Sequence, residues 1–197
     1  TENTTTASVK GGLQALTNQS IRVGSITNFP TEIVMNNSVK IIVHTNGNVT
    51  PGTDNAQELG GASLRWTALY AVNGTVQTSD ARDKTSVRVF ANNEIAAAKA
   101  LSKEIGVFQW LDAIKKKGEG KARKHIGFTV QRAIEIMEEH SLDPMAYGFI
   151  CYDEWEDEYH GTPQVKKMSA GNKYSFRQDQ LNLFIARGFE ARLAALE

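Results

Sequence analysis

Within six residues, Ser79-Asp80-Ala81-Arg82-Asp83-Lys84, the chain places a hydroxyl, a carboxylate, a guanidinium and an amine. Those groups supply a nucleophile, a base and a cation for a developing oxyanion, which are the parts of an acyl-transfer site. The same residues fit an ordinary role as well, because Ser or Asp ahead of polar residues caps a helix N-terminus. His125 is a second candidate base, since an imidazole titrates near neutrality without a large shift. It also reads as a plain strand histidine. Other chemistries lack their ligands. His44, His125, His140 and His160 are scattered and Cys151 is the single cysteine, so neither a zinc site nor an intrachain disulfide is expected. Cys151 reads as a small buried apolar residue. Gly118-Glu119-Gly120-Lys121 lacks the spacing of a phosphate loop, and the acids Asp153, Glu154, Glu156, Asp157 and Glu158 lack the turn glycines of a calcium loop. No metal and no cofactor is expected.

Across 197 residues, 22 Lys and Arg balance 22 Asp and Glu. A neutral chain carries neither the basic footprint of nucleic-acid binding nor a polybasic face for a membrane surface. There is no run of 18 apolar residues and no leader pattern, so a soluble segment without a secretion signal is expected. The balance conceals a division. Eight of residues 1–79 are charged, against 36 of the following 118. Residues 1–79 are instead rich in Thr, Asn, Ser and Gly, 36 of 79.

Those two compositions predict two kinds of element. In 1–79, Ser20–Ile26 alternates and Val39–His44 is a β-branched run closed by Asn46-Gly47-Asn48, a hairpin turn sequence. A further turn is expected at Thr50-Pro51-Gly52 and a strand at Trp66–Val72. So few large side chains make too thin a core for a separate monomer, and association with identical chains is the simplest remedy. Beyond residue 79 the period moves toward 3.6. A helix is expected over Asn93–Ile105, with Ile95, Ala98, Leu101 and Ile105 inward and Lys and Glu outward. A strand at Val107–Leu111 and a solvated basic hairpin tip at Lys115–Lys124 follow. Then come a strand at His125–Thr129, a helix at Val130–His140 stopped by Pro144, a buried strand at Tyr147–Tyr152 and an exposed acidic loop at Asp153–Glu158. Phe176–Glu197 aligns Leu181, Ile185, Phe189, Leu193 and Leu196 on one stripe, which suits a helix packed on partner helices. The fold class is α+β.

Several separated motifs carry a family resemblance. Ser79-Asp80-x-Arg82-x-Lys84 followed by Val87 resembles the cleavage motif of the C-terminal intramolecular chaperone domain of phage tail fibres and endosialidase-type tailspikes. Phe108-x-Trp110 is similar to that family's aromatic strand, and Gly127-Phe128-Thr129-Val130-Gln131 to its Gly-Phe signature. Tyr174-Ser175-Phe176 resembles the entry to its C-terminal helix. Upstream, Leu59-Gly60 with Arg65-Trp66 and Leu69-Tyr70 is similar to the element that ends many phage fibre shafts. The resemblance spans residues 50–197. Asp83 stands where the family carries an apolar residue, Val130 where it carries Ala, and Arg132 where it carries an acid.

The resemblance implies a β-rich trimeric fibre end at 1–79, then a mixed α/β chaperone domain at 80–197 with a long C-terminal helix in a trimeric bundle. It implies a homotrimer in which 80–197 drives assembly of the fibre shaft on the same polypeptide. The domain then cuts itself off at Ser79–Asp80, acting as a serine-type endopeptidase in cis or between chains. The mature fibre would sit on the virion tail and meet a host surface receptor, with folding completed earlier in the host cytoplasm. Ser79 would be the nucleophile and Lys84 the base, with Asp80 and His125 as further catalytic candidates and Arg82 and Gln131 in support. Bond geometry constrains the chemistry. The Ser79 hydroxyl reaches its own carbonyl only through a four-membered ring, whereas the Asp80 carboxylate would close a six-membered one. An exposed lysine titrates near pH 10.4, so a base at Lys84 needs desolvation or a cationic neighbour such as Arg82. The competing reading is a non-enzymatic receptor-binding tip, with Trp66, Tyr70 and the Asp153–Tyr159 loop as contacts.

Overall fold

A computed structural model describes residues 11–15, 21–74, 76–160 and 164–196. The chain divides into two compact units, residues 1–65 and 66–197. The first unit is β-structure with short connections. Strands β1 (Gly11–Ala15) and β2 (Ile21–Ser25) form an antiparallel pair. Strands β3 (Thr31–Met35), β4 (Ser38–Val43) and β5 (Val49–Pro51) form a meander. Asn36 and Asn37, both at positive φ (51° and 55°), make the two-residue turn between β3 and β4. Asparagine tolerates that conformation, and the pairing of mirror-type turns suits the strand twist. The expected Asn46-Gly47-Asn48 turn joins β4 to β5, with Gly47 at φ 86°. Thr50-Pro51 is strand rather than turn, because Pro51 sits opposite Ile41 at the end of β5. Among the residues of this unit whose side chains are described none is buried, and Val23, Met35 and Val49 are more than half exposed.

The second unit begins with a long stretch that has no strand. Trp66–Val72, expected to be one, is irregular, and Trp66, Leu69, Tyr70 and Val72 are exposed. Regular structure starts at α1 (Asn92–Leu101) and continues through β6 (Gly106–Phe108), α2 (Leu111–Lys117), β7 (His125–Gly127) and α3 (Val130–Glu139). After these come β8 (Ile150–Trp155), β9 (Glu158–His160), β10 (Val165–Met168), β11 (Gly171–Phe176) and α4 (Gln178–Leu193). Two-stranded sheets pair β6 with β7, β8 with β11 and β9 with β10, so the unit is α+β.

Several elements differ from expectation for identifiable reasons. The helix α1 stops at Leu101, leaving Ile105 largely exposed, and it buries Glu94, Ala97, Ala98 and Leu101. Glu94 therefore belongs to the inward face. Trp110 is the N-cap of α2 rather than a strand residue, and Lys115–Lys117 complete that helix, since lysine is a good helix former and its charge suits the C-terminal dipole. The helix α3 ends at His140, with Ser141 at φ 57°, and Pro144 instead opens a short 3₁₀ turn over Pro144–Ala146. The strand expected at Tyr147–Tyr152 is displaced to Ile150–Trp155, so Asp153 and Glu154 lie on β8 and Glu158 on β9. Only Glu156 and Asp157 fall between. Cys151 is half-buried.

The core lies where α1, α3 and α4 meet, with Phe149 and Ile150 beneath. Leu181 and Ile185 of the predicted α4 stripe are buried together with Phe184, whereas Phe189, Leu193 and Leu196 remain exposed in the single chain. Gly188 sets the spacing of α4 on α1. A Cβ there would lie 2.5 Å from the carbonyl carbon of Ala98. Gly188→Ala would gain roughly 1 kcal/mol of helix propensity. It should nevertheless destabilise the protein by a net amount of about 1–3 kcal/mol, because two backbones must separate. A lowered midpoint in thermal or urea unfolding checks this.

Candidate functional site

Asp80 opens a single 3₁₀ turn, Ala81–Asp83. Its carboxylate accepts the Arg82 backbone N–H at 2.9 Å, and the Lys84 N–H points back to the Ala81 carbonyl. Capping and chemistry are thus one structure here. The turn reverses the chain, and Lys84 Nζ donates to Ser79 Oγ at 2.7 Å. The hydroxyl and the amine named from the sequence are in direct contact. Both are exposed in the single chain.

Arg82 takes a different place from the one expected. Its guanidinium holds the Asp80 carboxylate through Nε at 3.0 Å and Nη2 at 2.5 Å. That contact keeps the Asp80 carboxyl below its ordinary range, with the guanidinium the largest cause and the Arg82 backbone N–H the next. Arg82 is therefore committed to Asp80, and its positive charge is offset beside Lys84. The Asp80 oxygens in turn face the Arg82 guanidinium and backbone N–H.

His125 and Gln131 lie elsewhere in the unit. The His125 ring stacks on Phe108 with centroids 5.5 Å apart and meets the edge of Trp110 at 6.1 Å, so it fills an aromatic cluster. Gln131 is exposed in the first turn of α3. The departures from the family pattern also find places. Val130 is buried at the start of α3, and Arg132 pairs with Glu104 at 3.2 Å and with Glu135 at 2.9 Å. Trp66 and Tyr70 are exposed, and Asp153–Tyr159 is distributed over β8, β9 and their connection.

A second charged cluster lies just downstream, and sequence reasoning missed it. Glu94 is 3% exposed. Its carboxylate accepts Arg88 Nη1 at 2.6 Å and Nη2 at 2.7 Å, the Ala91 N–H at 2.7 Å and the Tyr147 hydroxyl at 2.7 Å. Buried charge requires this degree of pairing. The signal available was Glu94 at the third position of a helix, where a carboxylate returns to the N-cap N–H. Arg88 foremost holds the Glu94 carboxyl far down, at about 2, whereas burial and then the Glu94 charge push the Tyr147 phenol up to about 12. A shallow cleft runs between the two clusters, from Lys84 through Val87 and Arg88 to Glu94.

Comparison with known proteins shows what the chain is similar to. A family model described as chaperone of endosialidase matches residues 79–142, beginning at Ser79. The side tail fibre protein pb1 of Escherichia phage T5 is 47% identical over 191 residues, covering 87% of this chain and 14% of that protein. The tail spike protein of Escherichia virus K5 is 32% identical over 136 residues, covering 68% of this chain and 21% of that protein. The chain thus spans about a fifth or less of the curated relatives it matches. Among solved structures, the carboxy-terminal domain of the bacteriophage T5 L-shaped tail fibre with its intramolecular chaperone domain is 37% identical with a TM-score of 0.72. That match covers 96% of this chain and 52% of the other. A structure described as a novel intramolecular chaperone is 30% identical with a TM-score of 0.51, covering 59% of this chain and 99% of that one.

The Glu94 cluster has a pH signature of definite sign. A carboxyl held at about 2 when folded, against an ordinary 4.5, adds stability that is complete above pH 4.5 and lost as pH falls toward 2. The amount is about 3 kcal/mol. Glu94→Gln should be less stable at neutral pH and show a flatter acid limb when unfolding free energy is measured from pH 6 to 2.5.

Proposed function

The chain belongs to the chaperone-of-endosialidase family of phage tail fibres and tailspikes, and from that premise we propose that residues 80–197 assemble three copies of the fibre end and then cut the Ser79–Asp80 bond. The observation that carries the cleavage step is the 2.7 Å contact between Lys84 Nζ and Ser79 Oγ. With the amine neutral, the same contact runs in reverse and Lys84 takes the hydroxyl proton. Since a serine cannot comfortably attack its own carbonyl, Ser79 Oγ of one chain attacks the Ser79 carbonyl carbon of a neighbouring chain. An ester forms there, the peptide C–N bond breaks, and the Asp80 nitrogen leaves as an amine with the proton that Lys84 returns. Water then hydrolyses the ester: Lys84 takes a proton from the water and gives it to Ser79 Oγ as the acyl–oxygen bond breaks. One water is consumed per bond, leaving a Ser79 carboxylate and an Asp80 amine.

Interchain attack makes assembly a condition of cutting. It also gives the assembled chains the task of excluding water around Lys84, which is exposed in the single chain. The exposed Phe189, Leu193 and Leu196 of α4 supply apolar surface for a helical bundle of three copies. A β-rich fibre with non-local pairing folds slowly, and a fused trimer-forming domain raises the effective concentration of its strands. Removal afterwards leaves the fibre kinetically trapped. Folding would take place in the host cell and the fibre end would persist on the virion tail, where any host receptor would be met.

On denaturing gels the parent should give two fragments, whereas Ser79→Ala and Lys84→Ala should each give one full-length band. Asp80→Asn should still cleave, because Asp80 serves the turn. Normal cleavage in Lys84→Ala, or loss confined to Asp80→Asn, would overturn the Ser–Lys assignment.

A further inference from the structure

The strap between Lys84 and α1 has no strand or helix to hold it. Val87 and Val89 on this strap are 94% and 81% exposed, so packing does not fix them. Two contacts hold its far end. Phe90 lies against Phe184 in the core, with ring centroids 5.1 Å apart, and Arg88 grips Glu94 with both terminal nitrogens. Arg88 Nη1 also donates to the Val89 carbonyl at 3.0 Å, which ties the strap's own backbone into the ion pair. Glu94 in turn accepts from Tyr147, 53 residues away, so its full set of partners exists only once the loop ahead of β8 has docked. Lys84 and Arg88 line the same cleft.

We infer that Arg88 and Glu94 are positioning residues for the Ser79–Lys84 pair, fastening the strap to α1 so that the cleavage motif is held only on a completed core. This rests on the self-cleavage reading above. Neither residue touches the scissile bond. Their effect passes through the strap's backbone, and the arrangement turns folding of residues 90–150 into a precondition for cutting. Arg88 also bears on stability, because its loss would leave the buried Glu94 carboxylate without its main partner, so the role in alignment is read from the cleavage rate of folded, assembled molecules.

The test uses the full chain, refolded and then followed for cleavage rate, oligomeric state and melting temperature. Arg88→Ala is compared with Ile136→Val, which loosens the core at α3 without touching the strap. At a temperature well below both melting transitions, Arg88→Ala should cleave at least tenfold more slowly per assembled molecule, and Ile136→Val at the parental rate. Arg88→Lys keeps a cation over Glu94 but not the fork, and should recover part of the lost rate. In both Arg88 variants the pH midpoint of the rate should stay where the parent has it while the plateau falls, because the base is unchanged. Parental cleavage by Arg88→Ala, or a loss in Ile136→Val as large as its own, would overturn the inference. Absence of cleavage in the parent would remove the self-cleavage reading itself, whereas a cleaving parent with an equally active Arg88→Ala would remove this inference alone.

Discussion

A carboxylate withdrawn from water must be answered on every side, and the second unit is arranged around one such group. Glu94 faces the Ala97, Ala98 and Leu101 side of α1 rather than the solvent, and it stays ionised because a guanidinium, a backbone N–H and a phenol all point at it. Each donor comes from a different part of the chain. Arg88 belongs to the strap, Ala91 to the helix cap and Tyr147 to the loop before β8. A single buried charge therefore sets the entry angle of α1 and the path of the preceding segment, and α1 in turn receives α4 at the Ala98–Gly188 crossing. Removing one partner of such a cluster is costly, whereas replacing the whole cluster by apolar groups of similar size can be neutral, so the cluster ties stability to one particular geometry.

Around that centre the single chain leaves much apolar surface in water. Tyr70, Val72 and Val76 are essentially fully exposed, and none of the first unit's residues with described side chains is buried. A monomer with this surface would be poorly soluble and poorly held. The proposed trimer would meet both needs by one requirement, since further copies would complete the thin β-structure and cover the exposed half of α4.

What the sequence made legible follows the same line between local and long-range causes. The turn at Asn46-Gly47, the helix at Val130–Glu139 and the C-terminal helix rest on local chemistry, and each lies where the residues put it. The pairing of Ser79 with Lys84 was legible only through the family resemblance, and the capped turn that brings the two together is local. Elements that depend on a distant partner were less so. Asp153 and Glu154 look like a loop because both faces of the two-stranded β8–β11 sheet carry exposed residues, which removes the alternation that marks a half-buried strand. Glu94 looks like a surface residue until Tyr147 and Arg88 are placed against it. His125, a plausible base by type, is occupied by aromatic neighbours that no spacing rule could supply.

The turn at Ala81–Asp83 has a consequence for the two pieces that a cut would produce. Every hydrogen bond that shapes it joins residues 80 to 84: the Asp80 cap, the Asp83 N–H to the Asp80 carbonyl, and the Lys84 N–H to the Ala81 carbonyl. On the other side, among the described residues, 66–74 and 76–78 make no hydrogen bond within the chain. The contact that crosses the seam is the one between Ser79 and Lys84. Severing the covalent link there would dismantle none of the described secondary structure in either piece, so the Ala81–Asp83 turn would survive the cut as the new N-terminus of the second piece.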